Sequence, residues 1–272
     1  MTKKIYLDNA ATTRVDESVI KEMEIYMRER YGNASSVHLV GQEAKRALEE
    51  SRHTIAKSIG AKDNEIYFTS GGTESNNWAL KETFFRNGCK GNIITTKIEH
   101  DCVLESCKLI EKLGGKVTYL DVDKDGFVNP RDVESAITKE TILVSVIHGN
   151  NEIGTIQDLK AIGTICKKHN VYFHTDACQS YTKVPINVKK QNLDLVTLNA
   201  HKIHGPKGVG ALYIREGVKI SALLHGGGHE RGLRSGTENI PGIIGFAKAV
   251  KNSSSSHNKI ITKMRDNIIE GI

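Results

Sequence analysis

The 272-residue chain predicts an α/β fold, a mixed and mostly parallel sheet of seven strands with helices on both faces. Three observations carry that prediction. Seven short runs rich in Ile, Val, Tyr and Thr recur along the chain, most are separated by helix-compatible segments, and the last two are joined by a short Gly-Pro turn. Alternating strands and helices give parallel neighbours, because a parallel return needs a long crossover. The tight turn cannot supply one, so the last pair is antiparallel and the sheet mixed.

Taken in order, two amphipathic stretches, 16–30 and 38–59, come first and are expected to pack on the sheet as helices. The strand-like runs follow at 65–70, 92–98, 116–122, 141–148, 171–177, 193–200 and 208–214. Helix-compatible segments at 73–88, 101–115 and 158–170 fill gaps between them. After the sheet, 251–272 passes from a serine run into an apolar repeat of helical period at Ile260, Ile261, Met264 and Ile268, where the sequence stops with nothing to cover that face.

Composition narrows the function classes. The formal charge is +6, but Lys and Arg are interleaved with Asp and Glu along the chain, so no nucleic-acid partner is expected. No apolar run approaches the roughly 20 residues that span a bilayer, and MTKKIYLDNAATT lacks the apolar stretch of a signal peptide. A soluble, cytoplasmic protein without a membrane partner is the expectation. Five cysteines (Cys89, Cys102, Cys107, Cys166, Cys178) show neither C-x-x-C nor a paired metal spacing, which predicts reduced thiols and no metal.

Four constellations carry chemistry. In 69-TSGGTESNN-77 a strand runs through two glycines into a helix beginning near Thr73, where free N–H groups and the helix dipole favour an anion such as phosphate. It lacks the dinucleotide and Walker patterns, and alone it also reads as an ordinary capped helix start. In 171-VYFHTDACQS-180 an apolar strand ends on Asp176, followed by Gln179. A carboxylate at the carboxyl end of a central strand faces the ligand crevice of an open sheet and suits a protonated heterocyclic nitrogen, though a helix-capping Asp is the alternative. Lys202 in 201-HKIHGPKG-208 follows the next strand. Desolvated, its amine can form a Schiff base with a carbonyl; otherwise it is a surface lysine. His100 in 98-IEHDC-102 follows another strand end and could stack on a flat ring or relay protons, or serve as a structural residue. A phosphate cradle, a pyridinium partner and an imine-forming amine together match what pyridoxal 5'-phosphate requires.

The motifs 6-YLDNAATT-13, 31-YGNASSVH-38, 69-TSGGTESNN-77, 99-EH-100, 148-HGNNEIG-154, 174-HTDACQS-180, 201-HKIHGPKGVGALY-213 and 226-GGGHERGLRSGTEN-239 read in order like the cysteine desulfurases. These are pyridoxal-phosphate enzymes of aminotransferase class V, with the fold type I architecture of the aspartate aminotransferase superfamily. The resemblance implies that Lys202 holds the cofactor covalently and moves protons once substrate displaces it, that His100 stacks on the ring, and that Asp176 pairs with its nitrogen. Gln179 is implied at the phenolic oxygen, with Asn151 near that oxygen and the substrate. Gly72, Thr73 and His201 are implied at the phosphate, with Thr237 reaching across from a second subunit of a homodimer. Asn199 stands where the family commonly has serine, replacing a hydroxyl contact to phosphate by an amide.

The implied reaction converts L-cysteine to L-alanine and passes persulfide sulfur to an acceptor protein for iron–sulfur cluster assembly or another sulfur-transfer pathway. The family's nucleophilic cysteine and its substrate-carboxylate arginine lie well beyond the lysine, yet the 70 residues after Lys202 contain no cysteine. Cys178 reads as a packed, non-reactive thiol. The organisation expected is an N-terminal arm and part of the small domain over 1–15, a large cofactor-binding domain over 16–250, and the start of a truncated C-terminal small domain over 251–272. A selenocysteine lyase, or another class V chemistry, and a non-catalytic cofactor-binding or dimerising remnant are the alternatives.

Overall fold

A computed structural model describes residues 5–253 and 255–272; residues 1–4 of the expected arm and Ser254 of the serine run lie outside the described residues. All seven expected strands form, each shorter than the run that announced it: β1 Ile66–Thr69, β2 Asn92–Thr96, β3 Lys116–Leu120, β4 Thr141–Ser145, β5 Tyr172–Asp176, β6 Leu195–Asn199 and β7 Gly210–Ile214. They make one sheet in the order β1-β7-β6-β5-β4-β2-β3. β7 runs antiparallel to both β6 and β1, and the remaining pairs are parallel. The Gly205-Pro206 turn therefore does what its brevity required.

Alternation along the strands sends side chains to two separate cores. Phe68, Ile94, Val144, Phe173, Val196 and Tyr213 join one, beneath α1 (Glu17–Arg28), α2 (Leu39–Ile59), α6 (Pro130–Ala136), α7 (Leu159–His169) and α8 (Ile240–Asn252). Tyr67, Ile93, Leu143, Leu195 and Leu212 join the other, covered by α3 (Gly72–Asn77), α4 (Thr83–Arg86) and α5 (Asp101–Lys112). Helices thus cover both faces, as a largely parallel sheet demands.

Three features depart from the sequence expectation. The helix expected over 73–88 is broken by a π-helical segment, Trp78–Glu82, between α3 and α4. The seven-residue α6 was not expected; its start is written by Asn129, which caps it, and Pro130 in the first turn. Nor was α8, because it is apolar around most of its circumference and shows no stripe: Ile240, Ile243, Ile244, Phe246, Ala247 and Val250 are all buried. It packs against α1 and α2. The apolar repeat near the C-terminus does form a helix, α9 (Ser255–Glu270), with Ile260, Ile261, Met264 and Ile268 all exposed.

At one edge of the sheet, β1 meets side chains instead of a further strand. Glu230 accepts the Phe68 N–H at 2.8 Å, and Arg52 from α2 donates to the Ile66 carbonyl at 2.8 Å. Arg52 also holds Glu230 through two bonds of 2.8 Å, and Arg231 reaches the same carbonyl at 3.1 Å. Glu230 and Arg231 take left-handed backbone angles (φ 44° and 58°), a strained state that these contacts sustain.

Candidate active site

The carboxyl ends of β1, β2, β4, β5 and β6 lie at one end of the sheet and feed a single cleft of about 290 Å³. β1 delivers the Gly71-Gly72 turn and the start of α3. The turn needs glycine twice: Gly71 sits at φ 153°, and a Cβ on Gly72 would meet Cys178 Sγ at 2.5 Å. Gly71 makes no side-chain cap bond, so the first-turn N–H groups of α3 face the cleft uncapped. β2 leads to His100, β4 to Ile147 and Asn151, β5 ends on Asp176, and β6 ends on Asn199, with His201 and Lys202 directly after it.

Asp176 is buried, and both its oxygens are engaged. Oδ1 accepts the Cys178 N–H at 2.8 Å and Oδ2 accepts Asn76 Nδ2 at 2.6 Å. Asn76 also donates to Cys102 Sγ at 3.1 Å, while its own Oδ1 is buried with no partner. Lys202 is half-buried, and its Nζ donates to the carbonyls of Ala10 and, at 3.0 Å, Ala11. Gln179 donates to Ala10 at 3.1 Å and accepts from Lys183 at 2.8 Å. The arm is thus stitched to the lysine turn, further tied by the Thr13 hydroxyl bonding the His201 carbonyl at 2.8 Å. His201 Nδ1 lies 3.2 Å from the Thr12 hydroxyl, and burial, with Lys202 and Lys207 nearby, lowers its pKa and keeps the ring neutral.

Two thiols share the cleft, and both are held protonated. Burial pushes Cys102 up to about 11, helped by Asp176, and carries Cys178 well above the ordinary thiol range. Neither is a ready nucleophile.

The cleft brings together Gly72, Thr73, His100, Asn151, Asp176, Gln179, Asn199, His201 and Lys202, every expected site residue but Thr237. Thr237 is exposed on the 226–239 loop and does not line this cleft. That loop is tied to the cradle by Arg234, whose Nε lies 2.8 Å from Glu74 in the first turn of α3. Sequence reasoning missed Asn76, although it stands one helical turn beyond Gly72 in a quoted motif, and missed the arm carbonyls that engage Lys202.

The donor set suits pyridoxal phosphate. Asn199 turns its amide nitrogen, a donor, toward Gly72, an uncapped helix start stands ready for an anion, and an amine and a carboxylate line the same space. Fold and cleft together define the class-V aminotransferase type of fold type I, and the aminotransferase class-V family matches residues 5–270. The chain is 52% identical over 274 residues to cysteine desulfurase IscS of Methanosarcina thermophila, the match covering 99% of this chain and 68% of that protein. It is 50% identical to cysteine desulfurase IscS of Dictyoglomus turgidum, covering all of this chain and 70% of that one. Among solved structures, a NifS-like protein matches with a TM-score of 0.95 at 44% identity, over 99% of this chain and 75% of its own. SspA in complex with cysteine matches with a TM-score of 0.90 at 40% identity, over 96% and 78%. The chain belongs to the cysteine desulfurases, a pyridoxal-phosphate-dependent family.

Proposed function

We propose that this chain is the cofactor-binding body of a pyridoxal-phosphate-dependent desulfurase acting on L-cysteine, with L-alanine and sulfur as products. The observation that carries the reading is one cleft in which Lys202, Asp176 and the Gly71-Gly72 helix start converge from three strand ends. Bound there, the cofactor supplies an electron-withdrawing pyridinium ring that labilises bonds at the substrate Cα. Lys202 is the residue to hold it covalently, and its Nζ is the group to move a proton at Cα once substrate displaces it. Asp176, fixed by Asn76 and the Cys178 N–H, keeps the proton on the ring nitrogen.

His100 covers the ring face, Gln179 bonds the phenolic oxygen, and Asn151 lies between that oxygen and substrate. Gly72, Thr73, Asn199 and His201 take the phosphate. The exposed Thr237 supports a homodimer in which each copy completes the other's phosphate site. The residues after Lys202 hold no cysteine, Cys102 and Cys178 are protonated and packed, Cys107 and Cys166 are buried, and the exposed Cys89 precedes β2, at the end of that strand away from the cleft. None of the five thiols is therefore both reactive and placed at the cleft to receive sulfur for an acceptor protein.

Absorbance tests the reading. The purified protein with pyridoxal phosphate should be yellow and Lys202→Ala should lose the band; a colourless, well-folded wild type sinks the cofactor assignment. Incubated with L-cysteine and reductant, the 272-residue chain should release little or no sulfide. Robust turnover abolished by Cys178→Ala would overturn the assignment of that thiol.

A further inference from the structure

We propose that Glu99 is a positioning residue for His100: its carboxyl fastens the turn after β2 to the chain leaving β4 and so sets how the imidazole lies over the cleft. This rests on the reading that His100 covers the cofactor ring. Glu99 Oε1 accepts the Thr96 hydroxyl at 2.7 Å and the Ile147 N–H at 2.9 Å. Asn150 Nδ2 adds a tie between the same two segments, donating to the Ile98 carbonyl at 2.8 Å. Those segments carry His100 and Asn151 and leave the paired strands β2 and β4. On its other side the imidazole is anchored by its own Nδ1, which accepts the Cys102 N–H at 3.2 Å and caps α5. His100 thus sits between two anchors, and Glu99 is one of them.

The second oxygen tells which form of the carboxyl does this. Glu99 is 6% exposed, and its Oε2 is buried with no partner. An ionised carboxylate would leave charge unsolvated there, so the neutral acid is the stable form. Burial pushes the group up to about 8 against the pull of the Thr96 and Ile147 bonds, and the nearby Asp176 adds to the push. One neutral oxygen accepting two bonds is what the geometry uses, and a glutamine amide oxygen can do the same. A carboxyl working through its charge could not be so replaced.

The test compares Glu99→Gln, Glu99→Ala and Thr96→Val with wild type. Pyridoxal 5'-phosphate is titrated by absorbance and visible circular dichroism. In the cofactor-free protein, carbethoxylation of His100 by diethyl pyrocarbonate is followed by peptide mass spectrometry. Glu99→Gln should match wild type throughout. Glu99→Ala should weaken cofactor affinity about fivefold, the worth of one hydrogen bond, and speed His100 modification. Thr96→Val should move both in the same direction by less, and it carries the test where Glu99→Ala does not fold. In a His100→Ala background the affinity loss from Glu99→Ala should vanish. The proposal is overturned if Glu99→Ala shifts only the melting temperature, if Glu99→Gln is as impaired as Glu99→Ala, or if the loss persists in full without His100. A wild type that takes up no pyridoxal phosphate would break the cofactor reading instead, and the His100 modification series would still decide the role of Glu99.

Discussion

The cleft and the β1 edge are both built from charged and polar side chains, yet they treat those groups in opposite ways. At the edge, Arg52 and Glu230 are almost fully buried and bonded to each other through two 2.8 Å contacts, with the Phe68 N–H and the Ile66 carbonyl drawn into the same network. In the cleft, the oxygens of Asn76 and Asn199 are buried without partners, as is that of Glu99 beside it. A saturated network rigidifies a fold, whereas an unpartnered buried polar atom marks a place where a ligand, an ordered water or a functional constraint supplies what the fold does not. The difference separates residues kept for stability from residues kept for binding.

The comparison breaks most visibly at the edge. Glu230→Ala leaves the buried Arg52 guanidinium with the half-exposed Glu49 (3.1 Å) as its remaining carboxylate and strips the Phe68 N–H of its acceptor, and should cost about 3 kcal/mol in chemical denaturation; a loss below about 1 kcal/mol would mean that the pair is not a clamp. Acid should act next. His174 is fully buried between the hydroxyls of Ser145 (2.8 Å) and Thr197 (3.1 Å), and burial lowers its pKa to about 4, with Asp176 pulling the other way. The unfolded chain takes up a proton near pH 6.5 that the folded one resists until about pH 4, so stability present above the first value is lost as pH falls through the second. His174 should contribute about 1.4 kcal/mol per pH unit to the slope of that loss, beside His148, which burial also lowers to about 4, and a His174→Gln variant with the same slope as wild type would remove His174 as a source.

The smallest effect belongs to the cleft, where Asn199→Ala deletes an unsatisfied amide. Folding stability should hold within about 1 kcal/mol or rise, while cofactor affinity falls about fivefold. Isothermal denaturation and a cofactor titration on the same sample check both halves. A destabilised variant with unchanged affinity would place Asn199 with the edge residues.

The sheet was legible because each strand is a short run of branched and aromatic residues closed by turn signals, as at 171-VYFHTDACQS-180, and the Gly205-Pro206 turn announced the one antiparallel hairpin. α8 was illegible for the reason that makes it stable: a helix buried between α1 and α2 has no polar face to give it a period. In the cleft, residues that follow a strand end, such as Asp176 and Lys202, could be picked out singly. Glu99 could not, because its meaning lies in a bond to Ile147, 48 positions away, and only the parallel pairing of β2 with β4 brings the two together. Asn76 was hidden likewise, since its partner Asp176 is 100 positions distant.

The clothing of β1 also bears on how the molecule behaves in a crowd. An open sheet invites a foreign strand to add itself wherever backbone donors and acceptors stand free. At β1 the Phe68 donor and the Ile66 acceptor are already taken by Glu230, Arg52 and Arg231, so an incoming chain finds two of the groups it would pair with occupied. Among the described residues the sheet's other rim is β3, and there Lys116 opens the strand with a charge that a stacking neighbour would have to bury.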